Sequence, residues 1–213
     1  MEHGFIKVAA VTPDIRVADV AYNQEQIIEK MKEAAKLGAK LIVFPELCVT
    51  GYTCSDLFEH EILLNAAKQA LFEIAEETKE IDALVFVGAP LAVDGKLYNV
   101  ATAMNQGKIL GLTSKTFLPN YGEFYEMRQF TPGPKTDREI LVNGEKIPFG
   151  PNLLFQAKEM EELVVSAEIC EDVWSPIPPS IQAAMEGATV IVNCSASDET
   201  IGKGRYRREL IQG

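Results

Sequence analysis

The sequence predicts an α/β domain built on mixed sheet, and three observations carry that expectation. Short apolar runs rich in β-formers alternate with segments whose apolar residues recur at helical spacing. One pair of runs is joined by Asn105-Gln106-Gly107, a hairpin signal, whereas others are separated by whole helices. Crossover and hairpin pairings therefore coexist. The chain has 213 residues, 47% hydrophobic and 24% charged, which suits one domain able to bury a substantial core. It holds no internal repeat, low-complexity tract or linker that would divide it.

Taken in order, Phe5 to Val11 reads as a first strand. Asp19 is placed to cap a helix in which Ile27, Ile28, Met31, Ala34 and Ala35 share a face, and Gly38 stands where its C-terminus wants a left-handed residue. Leu41 to Phe44 is a buried strand stopped by Pro45. Leu63, Leu64, Ala67, Leu71 and Ile74 mark a second amphipathic helix, and Ala83 to Ala89 another buried strand. Tyr98 to Met104 and Lys108 to Thr113 form the hairpin. From Phe117 to Pro151 the pattern is irregular and holds five of the eleven prolines, a length of loop that usually carries function. Leu163 to Ile169 and Thr189 to Val192 are two further strands, separated by a proline-rich turn and a short helix from Ser180 to Gly187.

A net charge of −11 disfavours unspecific attraction to nucleic acid or anionic lipid. The first residues, MEHGFIKVAAVTPDIRVAD, lack the pattern of a signal peptide, and no apolar stretch approaches the ~20 residues of a membrane helix. Cys48, Cys54, Cys170 and Cys194 are scattered, which suits reduced thiols in a cytoplasm. With no CxxC pair, no HExxH segment and two histidines, a zinc site is not expected.

Three potentially reactive residues directly follow buried strands: Glu46 after LIVFP, Lys115 after KILGLTS and Cys170 after ELVVSAEI. The carboxyl ends of strands are where α/β proteins place their sites. Singly, each has an ordinary reading: a solvated glutamate, a surface lysine, a small buried hydrophobe. Together their surroundings, FPELCVTGY, SKTFLPNYGEFYE and ICEDVW, resemble in type and order the three signature segments of the nitrilase superfamily of carbon–nitrogen hydrolases. That resemblance implies a four-layer α-β-β-α sandwich and a Glu46–Lys115–Cys170 triad.

The chemistry suits these types. A thiol needs a base or a positive charge to attack a carbonyl. Glu46 would take the Cys170 proton and pass it to leaving ammonia, while Lys115 and the backbone N–H after Cys170 would face the oxyanion. Tyr121, Phe124, Glu126, Arg128 and Phe130, with NCSASDETIGKGRYRRELI and DLFEHEILL after Tyr52, are similar to the glutaminase branch found in glutamine-dependent NAD synthetases. The resemblance implies glutamine as substrate, with Glu171 accepting its ammonium and Ser197 and Lys203 holding its carboxylate. Relatives often carry Arg where Lys203 stands, and a lysine offers a point charge in place of a bidentate fork. Tyr121 and Phe124 would wall the channel, and Glu126 would orient Lys115, with Glu123 as a competing candidate. Trp174 is expected to pack below the site, and Cys48, Cys54 and Cys194 to be packing residues.

No cofactor is expected for this half-reaction. ATP and Mg would serve a synthetase domain, but its Ser-Gly-Gly-x-Asp-Ser loop does not occur here. Residues 1–213 are thus expected to be an incomplete hydrolase domain ending inside a helix, cytoplasmic and homo-oligomeric, and exposing apolar surface where the core is cut. Two other readings remain at this point: the same triad acting on another small amide, nitrile or carbamoyl compound, and an inactive interaction module.

Overall fold

The computed structural model describes residues 4–212, so Met1 to His3 and Gly213, the end of the expected last helix, lie outside the described residues. Strands β1 (Val8–Ala10), β2 (Leu41–Val43) and β3 (Leu84–Val93) run parallel, connected through helices α1 (Val20–Lys36) and α2 (Glu61–Glu76). β4 (Lys96–Asn105) and β5 (Lys108–Ser114) add two antiparallel steps. Two reversals give β5 the same direction as β2, so Lys115 and Glu46 emerge at the same end of the sheet.

The start of α1 is set by Asp19, whose carboxylate accepts the N–H of Tyr22. Its end is set by Gly38 at φ 86°. Gln106 and Gly107 at φ 48° and 80° make the two-residue turn that suits strand twist between β4 and β5. The first strand is shorter than the apolar run Phe5 to Val11, because its partner β2 offers only Leu41 to Val43 before Pro45.

The segment from Phe117 to Pro151 is not irregular throughout. It contains a short helix, α3 (Glu126–Gln129), and a hairpin, β6 (Arg138–Val142) with β7 (Glu145–Gly150), which pairs in parallel with β5. The sheet order is β1-β2-β3-β4-β5-β7-β6. Asn143-Gly144, a strong hairpin dipeptide, makes the turn, and Ile140, Val142, Ile147 and Phe149 alternate into a core with Leu91, Tyr98 and Leu112.

A second sheet holds β8 (Leu154–Ala157), β9 (Met160–Ile169) and β10 (Val190–Cys194) in the order β10-β9-β8, with α4 (Pro179–Met185) between β9 and β10. Helix α5 (Lys203–Gln212) follows. The middle strands of the large sheet are buried on both faces. Val85, Val87 and Ala89 pack with Ile27, Met31, Leu71 and Ile74 of the helices. Phe86, Ala101 and Ala103 pack with Val165, Ala167, Ile169 and Val192 of the small sheet. The layers are therefore helix, sheet, sheet, helix, the expected α-β-β-α sandwich. Around the small sheet's outer side Ile177, Ile181, Met185 and Ile211 are exposed.

No helix of the described residues is long and apolar enough to cross a membrane. Among the described residues no group of three or more His, Cys, Asp or Glu side chains is placed to hold a metal ion.

Candidate active site

Glu46, Lys115 and Cys170 come together where the ends of β2 and β5 face the end of β9. Glu46 sits in a turn after β2 that presses on β3. A Cβ at Gly88 would lie 2.4 Å from the Pro45 carbonyl and 2.7 Å from Glu46 Cα, so only glycine lets the strands approach this way. Lys115 follows β5 and is fixed from both sides: its N–H donates to the Asn99 carbonyl and its carbonyl accepts from Gly133 N–H. Cys170 opens a 3-10 turn (Cys170–Trp174) at φ 43°, a left-handed conformation that costs a non-glycine residue strain.

The Lys115 ammonium is fully buried and lies 2.6 Å from Glu46 Oε1 and 2.6 Å from Glu126 Oε1. Of the two candidates, Glu126 and not Glu123 is the carboxylate paired with Lys115. Glu46 is held further by Asn99 Nδ2 on Oε1 at 2.7 Å and by Ala196 N–H on Oε2 at 3.1 Å. Tyr52 donates its hydroxyl to Glu126 Oε1 at 2.7 Å.

One cation between two carboxylates leaves the buried cluster net negative. Burial pulls the Lys115 ammonium toward neutrality, but Glu46 and Glu126 outweigh it and hold its pKa above the ordinary lysine value. Burial, then the charge of Glu46, pushes Glu126 up. Burial and Glu46 likewise push the Cys170 thiol up to about 12, against the opposing pull of Lys115 and of hydrogen bonds from Ser195 and the Ala196 backbone. The resting cysteine is a thiol, so its proton must leave as the new bond forms, and a carboxylate base stands within the same cluster.

Around this centre lie the other expected residues. Glu171 accepts the Tyr121 hydroxyl at 2.9 Å on both oxygens and has no cationic partner among the described residues. The Tyr52, Phe124 and Tyr121 rings form an edge-to-face series, with Phe124 centroids 6.3 and 5.9 Å from its neighbours. Ser197 and Lys203 reach the same region, but Lys203 is ion-paired with Asp198, and Arg207 donates to Ser197 Oγ at 3.4 Å. Trp174 does not pack beneath the site. It stacks on Tyr206, with Lys203 and Arg207 over its ring, and lines a cleft of about 670 Å³ that also touches Asn193, Ser195 and Ser197. Cys48, Cys54 and Cys194 are buried free thiols.

The sequence reading did not single out Asn99, Gly88, Asp172, Asn193 or Glu168. The Asn193 side chain accepts the Cys170 backbone N–H at 3.1 Å and donates to buried Glu168 at 3.3 Å. The contacts of Asn193 and Asn99 span 23 to 53 residues, so no local pattern announces them. The one available signal was polarity inside apolar runs: Asn99, Ser166 and Glu168 interrupt strands that otherwise read as buried.

Two face-to-face sheets between helix layers, with a buried glutamate, lysine and cysteine at adjoining strand ends, define a protein of the α-β-β-α class with a thiol in a charged pocket. The chain belongs to the carbon-nitrogen hydrolase family, whose profile matches residues 7–212. It is 40% identical over 211 residues to the glutamine-dependent NAD(+) synthetase of Mycobacterium tuberculosis (strain ATCC 25618 / H37Rv), covering 99% of this chain and 31% of that protein. A crystal structure of a glutamine-dependent NAD(+) synthetase from Cytophaga hutchinsonii superposes with a TM-score of 0.85 at 32% identity, over 97% of this chain and 33% of that one. An amidase from Nesterenkonia sp. shares the fold, with a TM-score of 0.68 at 21% identity over 93% of this chain and 68% of the amidase. The chain thus spans about a third of the length of the synthetases it matches.

Proposed function

We propose that this chain hydrolyses the side-chain amide of glutamine to glutamate and ammonia. The observation that carries the reading is the fully buried Lys115 ammonium, 2.6 Å from both Glu46 and Glu126 beside the Cys170 thiol. Likeness to glutamine-dependent synthetases over nearly the whole chain favours glutamine over other amides.

Cys170 Sγ bonds to the amide carbon while its proton passes to Glu46. Lys115 and the backbone N–H after Cys170 stabilise the oxyanion. Collapse breaks the C–N bond, Glu46 returns the proton to the leaving ammonia, and a glutamyl thioester remains. Water then adds with Glu46 as base, and the C–S bond breaks to restore the thiol. Glu171 receives the substrate ammonium, and Tyr121 and Phe124 line the channel. Ser197 and Lys203 hold the α-carboxylate, for which Lys203 exchanges Asp198, with Arg207 as a neighbouring cation.

The half-reaction uses no cofactor. The ammonia serves NAD synthesis from nicotinic acid adenine dinucleotide on a synthetase domain outside these residues, where ATP and Mg act in the cytoplasm. The exposed apolar side chains of α4 support self-association, which sedimentation would test.

A diazo-ketone analogue of glutamine tests the reading. Labelling of the Cys170 peptide, protected by glutamine, is expected. Labelling of Cys48 instead, or preference for a carbamoyl compound over glutamine in a substrate panel, would count against it.

A further inference from the structure

Asp172 is a buried carboxylate that the chemistry above does not use. It is 1% exposed, lies two residues after Cys170, and has no cationic partner among the described residues. Three backbone N–H groups fill it instead. Oδ2 accepts from Ile169 N–H at 2.9 Å, the residue before the nucleophile. Oδ1 accepts from Thr116 N–H at 3.1 Å and Phe117 N–H at 2.8 Å, the two residues after Lys115.

These three donors belong to different sheets. Ile169 ends β9 of the small sheet, whereas Thr116 and Phe117 leave β5 of the large one. Sheets packed face to face stand roughly 10 Å apart and share no ladder, so only side chains can tie their backbones together. A carboxylate is acceptor-only, and so can take all three N–H groups without presenting a donor to any of them. Its charge, carried once pH rises past about 7, shortens and strengthens the bonds. We infer that Asp172 is a positioning residue whose single carboxylate fixes the spacing of Lys115 and Cys170 across the two sheets.

The strained turn gives this contact its purpose. Cys170 at φ 43° must be over-determined by its surroundings to persist. Asn193 holds its N–H from one side, and Asp172 closes the turn from the other. Burial is costly, and it pushes the Asp172 carboxyl up to about 7 despite its three donors and the charge of Lys115. The inference rests on the triad reading above.

The test uses the 213-residue chain and two single-site changes. Asp172→Asn keeps the shape but turns an NH₂ toward one set of donors. Replacing Phe117 with phenyllactic acid removes only its N–H and leaves every side chain in place, so it tests the clamp even where Asp172→Asn does not fold. Each variant is assayed for glutamine kcat and KM and for the rate at which iodoacetamide alkylates Cys170, located by peptide mass. A misplacement of about 1 Å can cost about 100-fold. We expect kcat to fall at least tenfold in Asp172→Asn and severalfold in the ester, with KM within threefold and a changed alkylation rate. A lowered melting temperature with wild-type kcat and wild-type alkylation in the folded variants would overturn the inference. If the wild type alkylates at Cys170 but does not turn over glutamine, the glutaminase reading fails, and the alkylation rates alone decide the role of Asp172.

Discussion

Adding one methyl group at Gly88 probes how tightly the base is held. The new Cβ would sit 2.4 Å from the Pro45 carbonyl oxygen, 2.5 Å from Leu47 N and 2.7 Å from Glu46 Cα, against 3.4 Å or more for ordinary contact. All three neighbours are backbone, so no rotamer change relieves the clash, and the Glu46 turn must retreat by about 1 Å. The Glu46–Lys115 separation is 2.6 Å, so such a retreat takes it beyond hydrogen-bond range. Gly88→Ala should therefore lose about 1–3 kcal/mol of stability to overpacking and about 100-fold in kcat to misplacement. Thermal melting and steady-state ammonia release read the two effects separately. A folded Gly88→Ala variant with wild-type kcat would refute the idea that this close approach sets the position of Glu46.

Glu126→Gln should lower kcat about tenfold while changing the melting temperature little, because Glu46 still neutralises Lys115 and the buried cluster loses an excess negative charge. A large loss of stability would contradict that charge balance. Glu171→Gln should raise KM for glutamine about 10- to 100-fold with kcat nearly unchanged, the worth of one charged hydrogen bond. An unchanged KM would remove Glu171 from the binding site. For pH, folded Asp172 keeps its proton to about 7, whereas an unfolded aspartate releases it near 3.8. The stability it contributes is full below about pH 3.8 and lost as pH rises to about 7. The melting temperature of the wild type relative to Asp172→Asn should therefore fall across that window, and parallel curves would argue against the raised value.

The fold was legible wherever one period ruled a segment. α1 and α2 followed their apolar spacing, and Asp19 and Gly38 marked the ends of α1. The β6–β7 hairpin escaped because Arg138, Glu139, Glu145 and Lys146 dilute its apolar alternation, although Asn143-Gly144 was there to be read. Within the site, strand-end placement made Glu46, Lys115 and Cys170 plausible and the resemblance of their three motifs singled them out; two same-direction strands and a facing sheet bring their ends together. The groups that hold them were not. Asp172 and Asn193 act on backbone N–H groups, which carry no side-chain signature, and Gly88 matters through what a side chain there would strike. The binding side was legible only in outline, since the pairing of Lys203 with Asp198 and the reach of Arg207 toward Ser197 depend on how the chain folds after β10.

The central claim is that Cys170 carries the glutamyl group between the two halves of the reaction. Acid-quenching the chain during turnover of glutamine, followed by peptide mass mapping, tests it most directly. A glutamyl thioester is expected on the Cys170 peptide, absent in Cys170→Ala together with ammonia release. Steady ammonia release by Cys170→Ala, or a glutamyl group found on another residue, would contradict it.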